Sequence, residues 1–178
     1  MGSRYVTVHE EPLVMEGTMH EVATRLLGVV NAARPRLFAM PEAHAAEKPY
    51  PDKWSIKEIL GHLVDSASTN HQRIVRMQEV RDLGAFVYEQ SHWVSSQQYQ
   101  REPWGELVLF WHAYNMHVAH IIRHIDPAAL GNTCDIDYGA PVTLRIVAED
   151  YIAHMEHHLG QIFSGDDPRK RAKWMAEG

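Results

Sequence analysis

The chain has 178 residues, 45% of them hydrophobic, a net charge of −6 with the histidines neutral, and one cysteine. This suits a single domain over residues 1–178 with a substantial core and excludes a disordered chain, while the acidic balance argues against a nucleic-acid partner, which needs a basic patch to neutralise phosphates. The lone Cys134 excludes an intrachain disulfide, no apolar run is long enough for a bilayer, and the first residues lack a signal-like stretch, so the expected setting is cytoplasmic, with no membrane partner.

The first helix is expected over about residues 15–33, where Met19, Val22, Leu26, Val29, Val30 and Ala33 recur at helical spacing, with Pro35 closing it. Residues 34–54 hold four prolines and read as a loop ending at Trp54. Ser55 followed three residues later by Glu58 is a capping box, which starts a second helix running to about Val80. Its Ile56, Ile59, Leu63, Ile74 and Met77 share a face. A connector from Arg81 to Glu102 has no sustained period but carries Phe86, Tyr88, Trp93 and Tyr99. So many aromatics predict a flap that packs over something, with a short helix near Val94 to Tyr99.

The third helix begins near Pro103 and reaches about Ile125, with Leu107, Trp111, Tyr114, Val118, Ile121 and Ile125 in line. Asp126-Pro127 ends it. Within the next loop, Asp135-Ile136-Asp137-Tyr138 reads as a short extended piece. The fourth helix spans about residues 143–163, is ended by Gly165 and Pro168, and leads into a short amphipathic tail carrying Trp174. Four amphipathic helices of about twenty residues without clear strands predict an all-α fold, a four-helix bundle.

The chemistry concentrates in Tyr151-Ile-Ala-His154-Met-Glu-His157-His158-Leu-Gly-Gln161-Ile162. His154 and His158 are four apart, so a helix stacks them on one face. At roughly 100° per residue they share a stripe with Val147, Tyr151 and Gln161, and so point inward. Two buried imidazoles without a partner are costly. A divalent cation shared with His62 of the second helix resolves that cost, and three protein ligands leave a coordination position open for chemistry. His157 falls toward the helix edge. Glu156 lies nearly opposite the two ligands, which excludes an HExxH protease arrangement. The third helix offers a rival set, His112, His117, His120 and His124, but these point away from its apolar stripe or sit at its margin, and read as a solvated face.

Other polar residues fall on interior stripes. Asp150, Glu58 and Gln161 are candidates for orienting the imidazoles. Asn70, Arg73, Tyr114, Asn115 and Tyr151 are candidates for a substrate pocket. Asp65 sits nearer the helix edge and is expected to be exposed.

With these residues placed, the chain resembles the DinB-like, YfiT-like family of metal-binding four-helix proteins. The matching pieces are Trp54-Ser-Ile-Lys-Glu-Ile-Leu-Gly-His62-Leu-Val-Asp65 and His154-Met-Glu-His157-His158-Leu-Gly-Gln161-Ile162. The resemblance implies up-down-down-up helix order, with the connector crossing between the second and third helices. It also implies zinc or nickel held by His62, His154 and His158, and often a homodimer. Characterised members of that family include transferases for low-molecular-weight thiols and a thiol-dependent isomerase; many others are described only as metal-dependent hydrolases.

Three functions follow as expectations. In the first, the open position takes a small thiol co-substrate, and the chain needs no nucleophile of its own. In the second, the site activates water for hydrolysis of a small molecule. In the third, the bundle binds metal or ligand without catalysis.

Overall fold

The two N-terminal long helices start in the same way. Thr18 accepts a hydrogen bond from the Glu21 amide while the Glu21 carboxylate accepts from the Thr18 amide. Ser55 and Glu58 form the same reciprocal pair, at 3.2 and 2.8 Å. Each box satisfies amides that the first helical turn leaves without partners.

The computed structural model describes residues 17–137 and 139–164. The expected helix start at 15–16, Tyr138, and the stretch 165–178 with Gly165, Pro168 and Trp174 lie outside the described residues. The helices are α1 (Met19–Phe38), α2 (Glu42–Ala46), α3 (Ile56–Met77), α4 (Gln90–Gln97), α5 (Trp104–Arg123) and α6 (Leu144–Ser164). Short strands are β1 (Asp82–Ala85), β2 (Thr133–Asp135) and β3 (Val142–Thr143).

The long helices α1, α3, α5 and α6 form the bundle, and side-chain pairs along them fix their directions. The Trp104 indole at the start of α5 donates to the Leu37 carbonyl at the end of α1 (2.9 Å), so these two are antiparallel. Arg145 reaches the Gly17 carbonyl, and Arg36 lies 3.6 Å over the Phe163 ring, so α1 and α6 are parallel. His71 of α3 meets Tyr114 of α5, and Gln78 meets Asp126 just beyond α5, so α3 and α5 run together. Around the bundle the order is α1, α5, α3, α6, which sets α3 directly against α6.

The core is drawn from all four helices: Leu26, Val30 and Leu37; Leu60, Leu63, Ile74 and Met77; Trp111, Val118 and Ile122; Val147, Ile152, Met155 and Ile162. Each large apolar side chain fully buried there contributes about 1.5–3 kcal/mol. Helix α3 is buried on nearly every side, because α2, α4 and the connector cover the faces that α5 and α6 leave open. Even Lys57 is buried, its ammonium paired with Glu42 and with the Gln100 carbonyl.

Three expectations fail locally. Helix α1 continues through Pro35 to Phe38, because Leu37 still finds a fully buried site and the Ala39 amide caps the Pro35 carbonyl at 3.0 Å. The proline-rich loop contains α2, held by Glu42, whose carboxylate takes both Lys57 and the Trp104 amide. The chain also has a small sheet of order β1-β2-β3, with β1 parallel to β2 and β2 antiparallel to β3. Strands of two to four residues are too short to show alternation, so periodicity could not reveal them. They tie the connector to the loop before α6 at one end of the bundle.

Candidate metal centre

The capping box at Ser55 sets the phase of α3, and that phase turns His62 inward, where it is fully buried. The apolar stripe of α6, through Val147, Tyr151, Met155 and Ile162, turns His154 and His158 toward α3. The three Nε2 atoms meet between the helices. His154 Nε2 lies 3.3 Å from His62 Nε2 and 3.1 Å from His158 Nε2. Among the described residues this is the one group of three or more histidine, cysteine or acidic side chains whose ligand atoms lie within 4.8 Å of one another.

The spacing fits a cation. Nitrogens held 2.0–2.1 Å from a tetrahedral zinc are themselves about 3.3–3.4 Å apart. The protonation also fits. Gln161 Oε1 accepts from His158 Nδ1 at 2.7 Å, so His158 Nε2 carries a lone pair. Ser66 Oγ lies 3.4 Å from His154 Nδ1. Burial, reinforced by repulsion from the neighbouring imidazoles, pushes His62 down to about 3 and His154 to about 4, and lowers His158 too. All three are therefore neutral at physiological pH, the state a metal requires of an imidazole.

The connector forms one wall. Trp54 lies 5.2 Å from the His62 ring and Tyr88 stacks over it at 6.5 Å, with Trp93 edge-on to Tyr88 at 5.0 Å. Of the connector's aromatic residues, Tyr88 thus packs on the histidine cluster, with Trp93 behind it. A cavity of about 250 Å³ opens beside His154. Helices α3 and α6 line it with Ser66, Asn70, Arg73, Asp150 and Tyr151, and the connector and the loop before α6 close it with Val87, Tyr88, Gln90, Ile136 and Asp137.

The pocket candidates divide. Asn70, Arg73 and Tyr151 line the cavity. Arg73 also holds the connector, since its Nε and a terminal nitrogen both donate to the Phe86 carbonyl and another nitrogen reaches Asn70 Oδ1 at 3.3 Å. Asn115 and Tyr114 do not line it. Asn115 is fully buried behind Tyr151, accepting its hydroxyl proton and donating to the Trp111 carbonyl, and the Tyr114 hydroxyl pairs with His71. Their helix, α5, packs on the far side of α3 from the histidines.

The orienting candidates divide too. Gln161 contacts His158, and Asp150 lines the cavity one turn before His154. Glu58 faces away from the imidazoles, its carboxylate taken by Ser55, by Lys48 at 2.9 Å and by Gln100. Asp65 is the reverse case: expected at the edge, it is only 2% exposed. The connector buries it, with the Tyr99 hydroxyl at 2.6 Å and Gln97 Nε2 at 2.5 Å both donating to Oδ1. Desolvation holds this carboxyl above the usual range. Ser66, Val87, Tyr88, Gln90, Ile136 and Asp137 are the cavity residues to which the sequence assigned no role. For Tyr88 the signal was the aromatic run; for Val87, Gln90, Ile136 and Asp137 there was none.

The rival histidines of α5 form no such cluster. His117, His120 and His124 are exposed, and His112 meets Asn31 at 3.1 Å. His157 is exposed and lies beside Gln161 Nε2.

A helical bundle with three neutral imidazoles converging from two of its helices, beside a polar cavity, defines a candidate metal-binding bundle protein. The chain belongs to the DinB superfamily, whose family model matches residues 21–162. Among solved structures it is similar to YfiT from Bacillus subtilis, described as a probable metal-dependent hydrolase with an unusual four-helix bundle topology. That similarity has a TM-score of 0.74 over 90% of this chain and 91% of YfiT, at 13% sequence identity, and so concerns the fold. No curated protein matches the sequence. No helix among the described residues is long and apolar enough to cross a membrane.

Proposed function

We propose that the protein is a metal-dependent enzyme of a reducing, cytoplasmic setting, in which His62, His154 and His158 hold a zinc or nickel ion and the adjoining cavity takes a small thiol and its electrophilic partner. The observation that carries this reading is the convergence of three neutral Nε2 atoms at the wall of a polar cavity. Bound there, a divalent cation supplies an open position that lowers the pKa of a thiol or a water.

The chain's own residues do the rest. Gln161 holds His158 in the tautomer with a bare Nε2. Trp54 and Tyr88 cover His62 and keep bulk water from that side. Asn70 and Arg73 place polar hydrogens on the cavity wall, where they orient a polar substrate. Cys134 is no competing nucleophile: it is fully buried, its thiol directed at the Gly84 carbonyl, and burial raises its pKa.

A second reading, hydrolysis, is favoured by one observation. Asp150 and Asp137 both line the cavity, and either carboxylate could take a proton from an attacking water. The experiment that separates the readings compares turnover of an epoxide or activated alkene with turnover of an ester, each with and without added low-molecular-weight thiol. Turnover that needs both metal and thiol supports the first reading. Metal-dependent ester hydrolysis without thiol overturns it and promotes the second. A chelator should abolish either activity while leaving the helical signal, because a chain of this length buries a core without metal.

A further inference from the structure

Three buried side-chain atoms among the described residues have no hydrogen-bond partner: His62 Nδ1, Asp65 Oδ2 and Trp111 Nε1. Two of the three lie one helical turn apart on α3, beside the candidate metal centre. Buried polar atoms are ordinarily paired, so two orphans this close call for a common cause.

Their placement supplies one. Residues three apart on a helix have Cβ atoms roughly 5–6 Å apart, and each side chain leans back over the preceding turn. Asp65 therefore leans toward the turn that carries His62. Tyr99 fixes it there. Its ring lies so close to Gly61 that a Cβ at that position would meet a ring carbon at 2.1 Å, and its hydroxyl donates to Asp65 Oδ1. Gln97 donates to the same oxygen. With Oδ1 saturated by two donors, Oδ2 is the oxygen left for another.

His62 needs such an acceptor once Nε2 carries a metal. A neutral imidazole coordinating through Nε2 keeps its proton on Nδ1, and that proton has no partner here. We propose that Asp65 is the positioning residue of the metal centre: its Oδ2 accepts the Nδ1 proton of His62 when a divalent cation occupies the three-histidine site. Resting on the three-histidine reading, this makes one hydrogen bond of two orphan atoms and sets a negative charge behind the cation. No covalent bond changes; the proton stays on Nδ1.

The test uses Asp65→Asn. The amide keeps the size and can still accept from Tyr99, but its NH2 faces His62. It then favours the tautomer with the proton on Nε2, which cannot bind metal. Zinc affinity, measured in the full chain by competition with a chromophoric chelator, should fall about 10–100-fold. The metal-free melting temperature should hold or rise, since a buried carboxylate has been neutralised, and the rise on adding zinc should shrink. A residue with a purely structural role would lower the metal-free melting temperature instead and leave zinc affinity alone. Wild-type zinc affinity in Asp65→Asn overturns the proposal.

A measurement on the wild-type chain stands independently of that variant's folding. On zinc addition, imidazole ¹⁵N NMR should show His62 with a protonated, exchange-protected Nδ1 and a bound Nε2. An Nδ1 that stays exchange-labile overturns the proposal. If His154→Ala loses zinc while Asp65→Asn keeps it, the metal centre stands and this inference alone fails.

Discussion

The chain carries two histidine pairs at the same four-residue spacing, and they differ in everything but spacing. His154 and His158 on α6 face α3 and meet His62. His120 on α5 and His124 at its C-cap have ring centroids 4.4 Å apart, yet both are exposed, and His124 Nδ1 donates to the His120 carbonyl. Burial strips water from the first pair and lowers its basicity, whereas the second remains solvated. The lesson is that a two-histidine motif is half a site. What completes it is the helix packed against it and the apolar stripe that decides which way it turns.

The largest effect expected from breaking this contrast is at the ligands. His154→Ala should weaken metal binding by more than about 100-fold, exceeding what loss of an orienting partner does. Metal content of the purified variant checks this, and full occupancy would sink the three-histidine reading. His62→Ala should behave alike.

Gln161→Ala should be milder. It frees His158 Nδ1 and costs about 10-fold in affinity, with the helices intact by circular dichroism. An affinity unchanged on chelator titration would show that the Gln161 contact orients nothing.

The metal-free protein should also reveal the contrast through pH. The folded-state pKa values of His62 and His154, about 3 and 4, lie below the ordinary 6.5. Below 6.5 the unfolded chain therefore binds more protons than the folded one, and stability falls with pH toward about 4, by up to about 1.4 kcal/mol per pH unit for each group. Above pH 6.5 the effect vanishes. Urea unfolding between pH 7.5 and 5 measures the slope. His120→Ala with His124→Ala should leave it unchanged, and a flattened slope in that double variant would move the buried protonation to the wrong helix.

The smallest effects belong to the exposed histidines. The same double variant, and His157→Ala separately, should keep tightly bound metal within experimental error. Loss of metal in His157→Ala would reassign the ligand within the adjacent pair.

The long helices and the histidine cluster were legible because both depend on local signals. A capping box at Ser55 and a 3.6-residue period are written within one segment, and His62, His154 and His158 each lie on such a period. Glu58 misled because a capping carboxylate and an orienting carboxylate look alike in sequence; only Lys48 and Gln100, distant along the chain, show which it is. Asp65 misled for the same reason in reverse. Its helix angle alone suggests exposure, and the residues that bury it, Gln97 and Tyr99, come from a connector without period. Tyr114 and Asn115 were placed on the right kind of stripe but on a helix behind the cavity, a matter of bundle order that no single helix records.

Gly61 is neither a cavity-lining residue nor one of the three histidines, yet the Tyr99 ring occupies the space its side chain would need. The position is therefore as intolerant of replacement as a ligand. In a saturation library scored for metal retention, Gly61 would pattern with the histidines, and any drift there would demand a simultaneous change at residue 99. Two positions thirty-eight apart in sequence thus vary as one unit, coupling the connector's composition to the helix that bears His62.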